Sequence, residues 1–160
     1  MSTKKNKDVN IEQEFKVHIE KLEKQIGHIE TKELEINSMI STIKASTDNV
    51  ELLIAQENDN KQKGKFYTII SRNVELMNNL YNTYQSFESV KHKYYQDMGK
   101  MNVYKVRMLE IELKQIDLRF NNIKSDDLLS LMKEMKEVLK DVDSKTIEQL
   151  SLNSPEYSMD

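Results

Sequence analysis

The chain has no cysteine and no tryptophan, and only one proline and three glycines in 160 residues. Without cysteine there is no disulfide framework and no thiolate ligand for zinc or an iron–sulfur cluster, a composition that suits a reducing compartment. Gly27, Gly64 and Gly99 stand isolated, which excludes the glycine-rich loops that cradle phosphates or dinucleotides. Scarce helix breakers combined with 32% charged residues mark long helices with polar outer faces. No apolar run approaches the roughly 18 residues of a membrane span. The basic start at Lys4, Lys5 and Lys7 leads into Glu12, Glu14 and Lys16 rather than the apolar core of a signal peptide. The expectation is a soluble protein without a membrane partner, cytoplasmic, or within a virion or the host cytoplasm if phage-encoded.

Catalytic chemistry is equally scarce. His18, His28 and His92 are at least ten positions apart and lack the i, i+4 spacing of a helical metal site, so surface positions are expected for all three. Nearly all carboxylates fall on outward heptad positions, and no nucleophile is spaced to meet a base. These absences predict a non-enzyme with no cofactor, no metal and no small-molecule substrate.

Heptads carry the information that is present. Phe15, Leu22, Ile29, Ile36, Ile43 and Val50 recur at seven, and Ile19, Ile26, Glu33, Ile40, Thr47 and Ile54 follow each by four. That alternation is a coiled-coil seam, predicting a helix over about 11–56 that needs a partner helix. The polar segment 57–65, with Gly64, reads as a turn. A second helix over about 66–121 then presents Leu80, Phe87, Tyr94, Met101 and Met108, flanked by Ile70, Met77, Tyr84, Lys91, Met98 and Lys105. A reversal near residue 62 sets Ile43 against Leu80, Ile36 against Phe87, Ile29 against Tyr94, Leu22 against Met101 and Phe15 against Met108. It also sets the one acidic break of the first seam, Glu33, against the basic break Lys91. A buried pair of this kind adds little net stability but penalises slipped registers, so Glu33 and Lys91 read as a register pair.

Beyond Met101 the seam changes phase to Val106, Leu109, Leu113, Ile116, Phe120 and Ile123. The polar stretch 121–127, with Ser125 as an N-cap, predicts a second reversal and a third helix over about 126–150, folded back on the end of helix two. One unbroken helix over 66–150 is the alternative. Residues 1–10 are expected to be a flexible basic N-terminus, 11–150 a single elongated helical coiled-coil domain, and 151–160, with Pro155, a flexible tail. The fold class is all-α.

Tyr67, Val74, Tyr81 and Tyr95 add a further stripe to helix two, widening its apolar face beyond what one two-stranded seam buries. These four residues are the candidate interface, for a homo-oligomer or a helical protein partner. Charge is uneven: residues 66–124 hold nine basic and six acidic side chains, and 125–160 four basic and nine acidic. The basic residues Lys61, Lys63, Lys65 and Arg72 are the candidate nucleic-acid contacts, although no dense cationic face is built.

The stretch 36–98, a helix ending in ELLIAQENDN, a short turn, then KGKFYTIISRNVELMNNLYNTYQSF, resembles the central oligomerisation hairpin of the small terminase subunits of tailed phages. That resemblance implies ring formation through the hairpin and a role in DNA packaging. The residues themselves point to a non-enzymatic coiled-coil assembly or scaffolding protein. A DNA-packaging or recombination accessory, and a helical chaperone or adaptor for a partner protein, are the alternatives.

Overall fold

The computed structural model describes the backbone of residues 2–140 and the side chains of residues 10–137. Every regular element among the described residues is helical: α1 (Ser2–Gln56), α2 (Asn60–Asp97), α3 (Val103–Asn122), a π-helical turn (Ile123–Leu128) and α4 (Leu129–Lys140). The protein is therefore all-α. The expected extension of the last helix to 150 and the tail 151–160 lie outside the described residues.

Three boundaries differ from the sequence expectation. α1 starts at Ser2 rather than near 11, so residues 2–10 are its first turns. The turn expected over 57–65 shrinks to 57–59, because Asp59 accepts from the Lys61 backbone N–H through Oδ1 at 3.1 Å and caps α2. Gly64 is then an ordinary helical position whose carbonyl accepts from the Thr68 hydroxyl.

The third difference concerns the second half of the chain. Helix two does not run to 121; it stops at Asp97, and the reversal falls at 98–102. Met101 takes a positive φ of 48° there, and the Asn102 side chain accepts from the Lys105 N–H at 3.1 Å to cap α3. The segment 121–127 makes no reversal. Ser125 is not an N-cap: its hydroxyl bonds back to Asn121 O at 3.0 Å inside a continuing helix. Within unit two the π turn carries the helix from buried Ile123 to buried Leu131.

The chain divides into two compact units. Unit one comprises Met1–Asn37 and Tyr81–Phe120. In it α2 runs antiparallel to α1, with Lys91 on Glu33, and antiparallel to α3, with Lys93 on Glu112 and Phe87 edge-on to Phe120 at 6.2 Å between centroids. α3 runs parallel to α1, with Lys21 on Glu110 and His28 on Asp117. Its core is Leu22, Ile26, Ile29 and Ile36 from α1, Phe87, Val90 and Tyr94 from α2, and the five inward residues Val106, Leu109, Leu113, Ile116 and Phe120 of α3.

Unit two comprises Ser38–Leu80 and Asn121–Asp160. Val50, Leu53, Phe66 and Ile69 form its apolar centre, with Ile54, Ile70 and Met135 packed against it. Buried Asn73 donates to the Thr47 hydroxyl at 2.9 Å, and Thr47 donates in turn to Ile43 O at 2.9 Å.

The first helix's seam is as the heptads predict from Leu22 to Val50, but its start is not. Phe15 and Met108 do not pair in a core: both are exposed. The reversal at 98–102 places Met108 on the outer face of α3, and α3 begins level with Glu14, so Ile11 and Phe15 lie at the rim of the cover. On α2 the second stripe is displaced by one residue. Ile69, Leu76, Thr83, Val90 and Asp97 are buried, whereas Ile70, Met77, Tyr84, Lys91 and Met98 are half-buried flanks. A helix that faces two neighbours buries two adjoining stripes, and the polar Thr83 and Asp97 conceal the second one in the sequence.

Candidate interaction surface

Position 33 interrupts the apolar seam of α1 inside unit one, so its carboxylate must find a partner or lose hydration uncompensated. Lys91 Nζ lies 2.9 Å from Glu33 Oε1 and 2.7 Å from Glu88 Oε1. Glu33 Oε2 is buried with no hydrogen-bond partner. Burial, then the neighbouring Glu88 carboxyl, raises Glu33 above its ordinary 4.5 against the pull of Lys91. Glu88 is lowered, first by Glu33 and then by Lys91. Burial opposes the charge on Lys91, but its hydrogen bonds to the two carboxylates outweigh that and push its pKa up. Lys91 therefore stays charged with Glu88 as its main counter-ion, and Glu33 is the carboxyl that protonates first as pH falls.

Among the other polar side chains of this unit, His18 and Asp97 are buried, whereas His28 and His92 are exposed. His18 is not a surface residue: it sits one turn before Leu22 on the same face of α1, with Nε2 unpartnered. His28 bonds both oxygens of Asp117 at 2.9 and 3.0 Å, and His92 meets Gln96 at 3.2 Å. Asp97 is fully buried at the end of α2, and neither of its carboxylate oxygens has a hydrogen-bond partner. Burial, then the nearby charges of Glu110 and Glu112, pushes the Tyr94 hydroxyl up to about 12. Among the described residues no three His, Cys, Asp or Glu side chains are placed to hold a metal ion.

The residues expected at an interface are all in solvent. Tyr81 and Tyr95 are exposed on α2 in unit one, and Tyr67 and Val74 are exposed on α2 in unit two. In unit one neither α1 nor α3 takes up Tyr81 or Tyr95, because α2 already turns its two adjoining stripes toward them. The basic candidates in unit two are less available: Arg72 is ion-paired with Glu134, and Lys63 and Lys65 are half-buried in the first turns of α2, leaving Lys61 exposed. Among the described residues no helix is long and apolar enough to cross a membrane.

One exposed stripe escaped the sequence reading. Tyr104, Met108, Ile111 and Leu118 lie on the outer face of α3, opposite its buried residues. Their spacing of four, three and seven was the available signal, obscured while Met108 counted as a continuation of the α2 seam. Comparison with protein-family models, curated proteins and solved structures finds no significant match for the chain.

Proposed function

We propose that the protein is a non-enzymatic helical assembly protein that self-associates through the tyrosine-bearing face of α2. The observation that carries this reading is the exposure of Tyr81 and Tyr95 in unit one, and of Tyr67 and Val74 in unit two, on a helix that already buries two adjoining stripes elsewhere. Tyrosine suits such a surface: the ring supplies apolar contact area at low entropic cost, and the hydroxyl stays hydrated at the rim. The alternative use of the same rings, stacking on nucleic-acid bases, needs a cationic groove beside them; the ion pair of Arg72 with Glu134 and that of Lys91 with its two carboxylates withdraw local charge. Size exclusion with light scattering tests the reading. It predicts a mass that is a multiple of the 18.9 kDa chain and holds over a hundredfold dilution. A mass of 18.9 kDa at every concentration contradicts it.

A further inference from the structure

Among the described residues, α3 pairs its carboxylates and leaves its cations unpaired, although Glu112 lies one heptad from both Lys105 and Arg119, on their side of the helix. All three of its carboxylates are used within unit one: Glu110 on Lys21 at 2.8 Å, Glu112 on Lys93 at 3.1 Å and Asp117 on His28 at 2.9 Å. Its cations Lys105, Arg107, Lys114 and Arg119 form no ion pair among the described residues. The four cations flank the outward stripe, Lys105 and Arg119 on one side and Arg107 and Lys114 on the other. The stripe itself is open, with Tyr104 74%, Met108 54%, Ile111 59% and Leu118 61% exposed. From 104 to 118 it spans about 21 Å at 1.5 Å per residue.

We infer that this face of α3 docks an amphipathic helix of a partner protein whose apolar heptad positions are flanked by carboxylates. The stripe is narrow, two positions per heptad with Gln115 as a polar break, which is the pattern of a coiled-coil seam. A helix lying in a lipid surface presents a broader apolar face. The cations take four of the five charged e and g positions, the fifth being Glu112, which Lys93 already holds; opposite charge on the partner there sets choice and orientation. A second copy of the same face is the wrong partner. Antiparallel pairing sets Lys105 against Arg119, Arg107 against Lys114 and Glu112 against its own copy; parallel pairing sets Lys114 against Arg119 and offers only Arg107 opposite Glu112, which Lys93 already holds. This surface is separate from the tyrosines of α2, so the two proposals stand or fall apart.

The test uses the full chain and two synthetic 21-residue peptides with leucine at a and d, one carrying glutamate at e and g and the other lysine. Fluorescence anisotropy of the labelled peptides reads binding. The glutamate peptide is expected to bind, and the lysine peptide to bind at least tenfold more weakly. R107E with K114E weakens the glutamate peptide about tenfold, while Ile111→Asp abolishes binding; circular dichroism checks that helicity is unchanged in both variants. Because Ile111 and both cations are exposed, the folded unit tolerates these changes. Equal binding of the two peptides, no binding of either, or an unaffected R107E/K114E variant overturns the inference. So does binding to vesicles of equimolar phosphatidylglycerol and phosphatidylcholine without binding of the glutamate peptide, which assigns the face to lipid. Loss of a wild-type oligomer in Ile111→Asp assigns it to a second copy and overturns it equally.

Discussion

Single polar residues inside the seams do what the apolar heptads cannot: they distinguish one register from another. Glu33 is the most exacting case. Because its folded-state pKa is raised, the folded protein binds a proton at Glu33 more readily than the unfolded chain does in the window from 4.5 upward to that folded value. Raising pH through that window therefore lowers stability. Measured by urea denaturation across a pH series, the stability of the native protein relative to Glu33→Gln is expected to fall as pH rises above 4.5. A difference that grew with pH would mean that Lys91 outweighs burial at this position. Asn73 offers the complementary case in unit two, since its Oδ1 is buried without a partner. Asn73→Leu removes that orphan and also the bond to Thr47, which keeps its own bond to Ile43 O, so the variant is expected to gain about 1 kcal/mol net. A lower urea midpoint for Asn73→Leu would show instead that the amide is a net stabiliser.

Helix boundaries were harder to read than helix faces. The α1 seam was legible from Leu22 to Val50 because branched residues recur there with only Glu33 and Thr47 interposed. The end of α2 was not legible, since Met101 and Met108 happen to continue the spacing of Leu80, Phe87 and Tyr94 across a real chain reversal. Gly99 and the capping Asn102 mark that reversal locally, and the change of seam phase after Met101 is its long-range trace. The polar stretch after Asn121 misled in the opposite sense. Weak helix formers there end nothing, because a π turn carries the helix on and Ser125 bonds back to its own helix. The interface candidates on α2 were legible as a surplus apolar stripe, whereas the α3 stripe required knowing where α3 begins. Met101 gives the reversal its test. A left-handed residue with a side chain costs about 1 kcal/mol relative to glycine. Thermal unfolding is expected to rank Met101→Gly at or above the native protein and Met101→Val below both; the reverse order would remove the 98–102 turn from this account.

Among the described residues, the surfaces that the internal seams leave open include the tyrosines on α2 and a cation-rimmed apolar stripe on α3. Their chemistry differs, and so should their partners. A tyrosine face with few unpaired charges can meet its own copy, while four unmatched cations repel one. The most direct measurement of the central claim is the solution mass, by light scattering, of three full-length proteins: native, Tyr81→Asp with Tyr95→Asp, and Tyr104→Asp. Self-association through α2 predicts an oligomer for the native chain and for Tyr104→Asp, and an 18.9 kDa monomer for the Tyr81/Tyr95 variant. An oligomer that survives both α2 substitutions, with helicity intact, would contradict it.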